Sequence, residues 1–544
     1  MQGLAALDRE AMEQERLARR AAASAKKRGS ISPPPLREPD ERPAKRAKIT
    51  GKQVYEATRN RRAVPSDTNP FKTISEQDVE KIPPANSQSN ASAARPKLQY
   101  PRGVVKKTWC FKQERQGDDI KLEEVLQKND LKLAVLSSFQ WDDIDWVLSK
   151  LNTKETKIVL VMQAKSEIER DEAQAGVKSI PNMKLCFPNM TGQINCMHSK
   201  LMLLSYETHL RVVIPSANLT SYDWGETGVM ENIVFLVDLP RLPEKKRVGL
   251  EQITPFGREL IHFAKALGLD EAIVSSLHHF NFSDTKHLAF VHTIGGGHSG
   301  SDASGTGLCG LSAAINKLDL KCEGRLTLDL VTASIGALDT TFLLRLYHAA
   351  SGKDALTLDS DKPKLTANKS YDGGLDMISI YFPTQDTVEA SVGGPDNAGT
   401  ICYRYGWWDK LDPSIKHLFR DYKSRRQGIL SHSKMLFGRD PDAVSPHNDV
   451  AWAYVGSANL SESAWGKLTF DRKTKEPKIN CRNWECGVVI TVSNESNAND
   501  GLVPGMVERF EKIVPVPMEY PGEAYGNGKP WFFQSTFGDG GKDV

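Results

Sequence analysis

Two copies of one polar pattern govern what this chain can fold into. His198-Ser199-Lys200 is followed by Ser216-Ala217-Asn218-Leu219 and closes on Trp224-Gly225; His432-Ser433-Lys434 is followed by Ser457-Ala458-Asn459-Leu460 and closes on Trp465-Gly466. Six of the ten positions in the two SANL…WG blocks are identical, and Thr220 stands opposite Ser461. Each copy runs into an acidic residue at the head of a β-rich run, Glu231 before NIVFLV and Glu485 before CGVVIT. A repeat of this kind means a duplicated structural unit. Here what recurs is polar chemistry.

On a strand, residues i and i+2 share a face, so each His projects with its Lys. Two halves packed about a pseudo-twofold axis would give one site two imidazoles, two ammoniums and two carboxamides. A phosphodiester calls for that set: cations and amides on its oxygens, one histidine to attack phosphorus, the other to protonate the leaving oxygen. Histidine suits both tasks because its ordinary pKa lies near neutrality. A carboxylate behind each ring can fix its tautomer. SANL also reads as a turn with Asn as a helix N-cap, which is compatible with a catalytic role.

Hydrophobic patterning begins near residue 97. LKLAVLSSF (131–139), TKIVLVMQA (156–164), LRVVIPSAN (210–218), NIVFLVDLP (232–240), LTLDLVTASI (326–335), VAWAYVGSAN (450–459) and CGVVITV (486–492) read as strands. WDDIDWVLSKL, with Asp142 or Asp143 near its start, GRELIHFAKALGL and TTFLLRLYHAA read as helices. Strands alternating with helices predict α/β layers. The run IGGGHSGSDASGTG (294–307) reads as a flexible boundary between two halves.

Residues 1–90 hold 18 of the 71 Lys and Arg and 12 of the 68 Asp and Glu, a balance of +6, so the remainder carries 53 against 56 and a balance of −3. That first segment has no Trp, no Cys, and only Tyr55 and Phe71 as aromatics. It cannot bury enough apolar surface to offset its ordering entropy, which predicts disorder. Lys26-Lys27-Arg28 and Lys45-Arg46 with Lys48 flank a Pro-rich stretch, the pattern of a bipartite nuclear-import signal; a solvated tail touching nucleic acid loosely is the alternative.

The paired H-x-K and S-x-N blocks resemble the phospholipase D superfamily, whose usual pattern H-x-K-x4-D places an Asp after the Lys. Ser205 and Arg439 hold those positions here. Absence of the Asp is similar to one branch, the tyrosyl-DNA phosphodiesterases, and LKLAVLSSFQWDDIDWV, FNFSDTKHLAF, TASIGALDTTFL and PVPMEYPGEAYGNGKPW fit that branch. The resemblance implies an α/β protein with two similar α-β-α sandwich domains, 96–295 and 308–544, related by a pseudo-twofold axis behind a disordered tail, 1–95. It implies a DNA-repair hydrolase acting, without cofactor or metal, on the 3′-phosphotyrosyl bond and related 3′ adducts left by stalled topoisomerase I.

Carried over residue by residue, the resemblance makes His198 the nucleophile that becomes phosphohistidine. His432 would protonate the tyrosine oxygen and then activate water. Lys200, Lys434, Asn218 and Asn459 would bind phosphate oxygens. Glu485 matches the carboxylate behind the second histidine, while Glu231, chosen from the internal repeat, would serve the first. Ser334 and Ser461 match positions that hold the DNA backbone. Trp531 matches a cleft aromatic, with a core tryptophan as the alternative. The implied partners are DNA with a single-stranded or frayed 3′ end and a topoisomerase I-derived peptide. The basic clusters of the tail point to the nucleus, and a monomer suffices, since the duplicated site needs no dimer to complete it, which leaves the oligomeric state open.

Other classes fit less well. No run of about 18 apolar residues occurs, which argues against a membrane-spanning helix, and the N-terminus lacks the apolar segment of a secretory signal. The eight cysteines are scattered without CxxC pairs, which fits a reducing compartment. His278, His279, His287, His292 and His298 match no zinc spacing. Cys196 would share a strand face with His198, but the second copy has Leu430 there. GGGHSG lacks the Lys-Ser/Thr of a phosphate loop. Lys423, Arg425 and Arg426, before Lys434, form either a phosphate track or a solvated face. The rival functions are another nuclease or lipid phosphodiesterase of the superfamily, disfavoured by the missing Asp, and a non-catalytic nuclear scaffold, disfavoured by intact His, Lys and Asn in both copies.

Overall fold

The architecture comes from a computed structural model that describes residues 98–142, 144–244, 246–356, 374–441, 450–471, 473–492 and 505–533. The basic tail and its import signal lie outside the described residues.

The β-branched runs become the strands of two large sheets that repeat one plan. In the first, Leu133–Ser137, Lys157–Val161 and Met183–Cys186 are parallel neighbours. On the other side of Leu133–Ser137 come Met202–Ser205, His209–Pro215 and Ile233–Pro240, each antiparallel to the one before. Val104–Thr108 and the short Asp119–Ile120 extend that edge. In the second sheet, Thr327–Val331, Ile378–Phe382 and Phe419–Asp421 are parallel. Met435–Arg439, Ala451–Gly456, Asn483–Thr491 and Leu288–Thr293 then follow, each antiparallel to the last. The strand after each His-x-Lys thus holds the same place in both sheets.

Alternation along the strands sends side chains to two different cores. Val212 and Ile214 face a central core, while Val213 faces the outer layer of the first half. Ala453 and Val455 face the same central core, while Trp452 and Tyr454 face the outer layer of the second half. The central core therefore belongs to both halves. Helix Pro255–Ala266, started by the Thr254 side chain accepting from Gly257 N–H and by Pro255 in its first turn, lays Phe256 and Phe263 into it. Each such side chain, fully removed from water, contributes about 1.5–3 kcal/mol before entropy is counted. Helices Gly307–Lys317 and Thr340–Ala350 cover the outer face of the second sheet.

The Gly/Ser run 294–307, expected as a flexible boundary, is built into the second half. Gly296–Ser299 pairs with Pro477–Cys481, and short helix Ser301–Ser304 precedes helix Gly307–Lys317. The crossing between sheets falls earlier, between Pro240 and Leu288, because Leu288–Thr293 already belongs to the second sheet. At Gly307, with φ +58°, a Cβ would stand 2.3 Å from the Trp465 carbonyl oxygen. Gly307 thus permits close approach rather than looseness.

Candidate active site

Each His-x-Lys segment begins against the opposite half and ends in its own sheet. Cys196–Met197 pairs in parallel with Asn483–Trp484 of the second half; the His198 N–H then donates to the Trp484 carbonyl at 2.9 Å. Leu430–Ser431 pairs likewise with Met230–Glu231 of the first half, and the His432 N–H donates to the Glu231 carbonyl at 3.0 Å. The two motifs are reciprocal, the arrangement a pseudo-twofold axis requires. Both lie in the extended link between strands rather than within one. Lys200 turns its ammonium back to the His198 carbonyl at 2.8 Å, and Lys434 does the same to the His432 carbonyl.

All six repeated polar residues are buried: the lysines at 0%, His198 at 5%, His432 at 4%, Asn218 at 1% and Asn459 at 3%. Burial holds the Lys200 ammonium below the ordinary lysine range, against the pull of Glu485 and Asp223. Lys434 is pushed well below it, by burial first and then by the nearby Lys200 charge. The His432 imidazole is lowered to about 4 by burial and by Lys434, with Asp223 opposing. Two buried lysines that feel one another favour an anion bound between them.

The carboxamides are fixed through their oxygens. Asn218 Oδ1 accepts the Gln140 N–H at 3.2 Å, and Asn459 Oδ1 accepts the Thr332 hydroxyl at 3.3 Å. This orients each NH2 group away from those partners, as a donor for an anion. Ser138 and Thr332 play the same part in the two halves, each accepting from the backbone N–H after an asparagine, of Leu219 at 2.9 Å and Leu460 at 3.1 Å.

The carboxylates depart from the sequence reading. Glu485 Oε2 lies 2.8 Å from His198 Nδ1, so it stands behind the first histidine and not the second. Ser457 Oγ donates to the same oxygen at 2.6 Å, and Asn483 Nδ2 to the other at 2.8 Å. Glu231 faces away from both imidazoles: it is buried against Ser424 at 2.6 Å and Arg426 at 3.3 Å. The cause is a one-residue slip. Met197 pairs with Trp484 and Ser431 with Glu231, so Glu485 corresponds to Asn232, and a slip of one turns a strand side chain to the opposite face. Asn232 Oδ1 indeed accepts from Ser216 at 2.8 Å, as Glu485 does from Ser457. The acid beside His432 is Asp223, its Oδ2 3.5 Å from Nδ1, and held low in pKa by His432 against the cost of its burial.

Ser457, Asn483, Asp223 and Phe139 went unseen as site residues. Ser457 and Ser216 were visible as the first letter of each repeated block; Asp223 was not, since Ala464 stands opposite it. The Phe139 ring lies 5.2 Å from the His198 ring and 6.0 Å from the Lys200 ammonium.

Ser334 and Ser461 line a cavity of about 440 Å³ whose walls also include Asn195, Arg404, Trp407 and Arg482. Ser461, rather than Asn459, is the N-cap of helix Glu462–Trp465, accepting the Ala464 N–H at 3.2 Å. Trp531 is placed away from this cavity. It is 2% exposed in the second half's outer core, with its indole N–H on the Ile401 carbonyl at 3.1 Å. The basic stretch is ion-paired instead of forming a track: Lys423 with Glu523 at 2.5 Å, Arg425 with Glu511 at 2.7 Å, and Arg426 with Glu231 at 3.3 Å.

A family model described as Tyrosyl-DNA phosphodiesterase matches residues 104–526, spanning both copies of the motif. The chain belongs to the tyrosyl-DNA phosphodiesterase family. Membership makes it a phosphoric diester hydrolase of the phospholipase D superfamily. It is 25% identical over 417 residues to tyrosyl-DNA phosphodiesterase 1 of Saccharomyces cerevisiae, covering 68% of this chain and 71% of that protein. To the Arabidopsis thaliana protein of the same name it is 24% identical over 392 residues, covering 69% of this chain and 59% of that one. The crystal structure of the yeast enzyme matches its fold with a TM-score of 0.56 at 21% identity, over 79% of this chain and all of that one.

The five histidines of the 278–298 stretch have separate partners. His278, His279, His287 and His298 each meet a backbone carbonyl, and His292 meets Glu259 at 3.2 Å. Among the described residues no group of three His, Cys, Asp or Glu could hold a metal, and no helix is long and apolar enough to cross a membrane.

Proposed function

We propose that this enzyme hydrolyses the bond between a DNA 3′-phosphate and tyrosine, and related 3′ adducts of the kind a stalled topoisomerase I leaves, as a repair activity of the nucleus. The observation that carries the reading is the His198–Glu485 pair. A carboxylate only accepts, so Nδ1 carries the proton and Nε2 keeps its lone pair for phosphorus.

In the first step His198 Nε2 bonds to phosphorus while the P–O bond to tyrosine breaks. The leaving oxygen takes a proton from His432. In the second step His432 takes a proton from water as the water oxygen bonds to phosphorus, the P–N bond breaks, and the strand leaves with a 3′-phosphate. Lys200, Lys434, Asn218 and Asn459 hold the non-bridging oxygens, where charge grows in each transition state. With its pKa lowered to about 4, His432 is neutral at pH 7. Burial is the larger cause of that low pKa, and a phosphodiester anion between the two lysines offsets the other, the lysine charges, and so promotes the proton needed for the first step.

Purified protein in excess EDTA is expected to release tyrosine from an oligonucleotide with a 3′-phosphotyrosyl end, and to leave phosphatidylcholine intact. Strict dependence on added divalent metal would overturn the mechanism.

A further inference from the structure

We infer that the cavity beside the polar cluster seats a nucleobase of the substrate strand, stacked on Trp407. The inference rests on the proposed DNA substrate and names the part of it this pocket reads. The cavity adjoins the reacting groups by chain continuity: Asn195 lies three residues before His198, Ser461 two after Asn459, and Arg482 three before Glu485. Ser334 reaches Asn459 through Thr332, whose hydroxyl oxygen lies 2.9 Å from the Ser334 carbonyl and 3.3 Å from Asn459 Oδ1, one proton shared between the two acceptors.

Trp407 is half-buried, and the Arg404 guanidinium lies 5.1 Å from its ring centroid. An arginine on an indole polarises and steadies the ring, and Trp407 lines the cavity while packing against the outer core, so a flat partner inside the cavity can stack on its exposed part. The volume, about 440 Å³, is in the range of small-ligand sites and admits a base. Its charge selects the kind of molecule. Arg404, Arg482 and Lys467 stand against one carboxylate, Glu462, which Lys467 already pairs at 2.9 Å. Arg482 is half-buried and has no ion pair among the described residues. Exposed Tyr405, 58% accessible, and Phe470, 40% accessible, follow Arg404 and Thr469 on the lining segments. Aromatics interleaved with cations are what single-stranded nucleic acid is bound by. A neutral tyrosyl peptide would find no use for the cations.

The test uses full-length protein and single-stranded oligonucleotides with a 3′-phosphotyrosyl end, intact or with one abasic residue at each of the last three positions. One of these positions is expected to lower kcat/KM on the order of tenfold, the worth of one stacked base. In Trp407→Ala that abasic penalty disappears, and Trp407→Phe restores most of it. The same penalty in wild type and Trp407→Ala overturns the inference. So does a wild-type scan in which no abasic position matters, a result that needs no variant to fold. Sensitivity to the length of the tyrosyl peptide, with none to the abasic scan, overturns it too. Wild-type protein inactive on the intact oligonucleotide would instead reject the proposed function.

Discussion

His198 and His432 are the same side chain in nearly the same local sequence, yet their surroundings differ. His198 has a carboxylate at hydrogen-bond distance. His432 has Asp223 at 3.5 Å, beyond a good hydrogen bond, and two lysines that depress its pKa. This asymmetry supports the proposed roles of nucleophile for His198 and proton carrier for His432. With a 3′-phosphotyrosyl strand, His198→Ala is expected to form no covalent adduct and lose at least about a thousandfold in kcat. His432→Gln is expected to accumulate a strand-linked protein visible on a denaturing gel, because the intermediate forms but its water is not activated. An adduct in the first variant and none in the second would exchange the roles.

The His432 shift also sets a pH dependence. Its folded pKa of about 4 lies below the ordinary 6.5, so between those values the unfolded chain takes up a proton that the folded one refuses. Stability contributed this way is present above pH 6.5 and is lost as pH falls towards 4, by about 3 kcal/mol in total at 1.36 kcal/mol per pKa unit. Denaturant midpoints measured from pH 7 to pH 4 should fall more steeply for wild type than for His432→Gln. Equal slopes would show that His432 is not held neutral. At this scale the sequence made the paired His, Lys and Asn legible because they repeat. It misled on the carboxylates, because Glu231 and Glu485 look alike in the text but sit one residue apart in register.

Elements were legible where apolar periodicity was strong. Strand Ala451–Gly456 and helix Thr340–Ala350 both fall inside the runs that announced them. The Gly/Ser run was not, because composition cannot tell a loose linker from glycines demanded by close approach. The repeated Trp-Gly has a structural cause of the second sort. Trp224 and Trp465 are buried at 1% and 2%, and Gly225 and Gly466 follow at φ +76° and +87°. A Cβ on Gly225 would stand 1.6 Å from the Trp109 carbonyl oxygen. Gly117, at φ +86°, has nothing within 4 Å of such an atom. Gly117→Ala should therefore cost only the backbone term, about 1 kcal/mol. Gly225→Ala should cost several-fold more, since backbone at both ends must move. Chemical denaturation of both variants decides it, and equal losses would mean that the turn opens freely.

At the scale of the molecule, the central core shared by both sheets means that neither half completes its packing or its site alone. The catalytic charge is correspondingly concentrated: Lys200 and Lys434 are buried at 0%, while the chain beyond residue 90 has a balance of −3. Exposed cations near the second motif are paired with acids, so they add little long-range attraction for DNA. For the +6 of residues 1–90 we propose two separable uses, addressing and loose attraction to nucleic acid. They differ in salt dependence. Binding through tail cations would release counterions, so removing the tail would weaken DNA capture most at low salt. An importer would read Lys26-Lys27-Arg28 and Lys45-Arg46 as a motif and leave catalysis untouched. We expect deletion of residues 1–90 to leave kcat/KM within about twofold at both 50 and 200 mM salt, where screening lengths differ. Nuclear accumulation of a fluorescent fusion should fall, and Lys45→Ala with Arg46→Ala in the full chain should reproduce that loss. A kcat/KM that drops only at low salt, with localisation unchanged, would assign the tail to DNA instead.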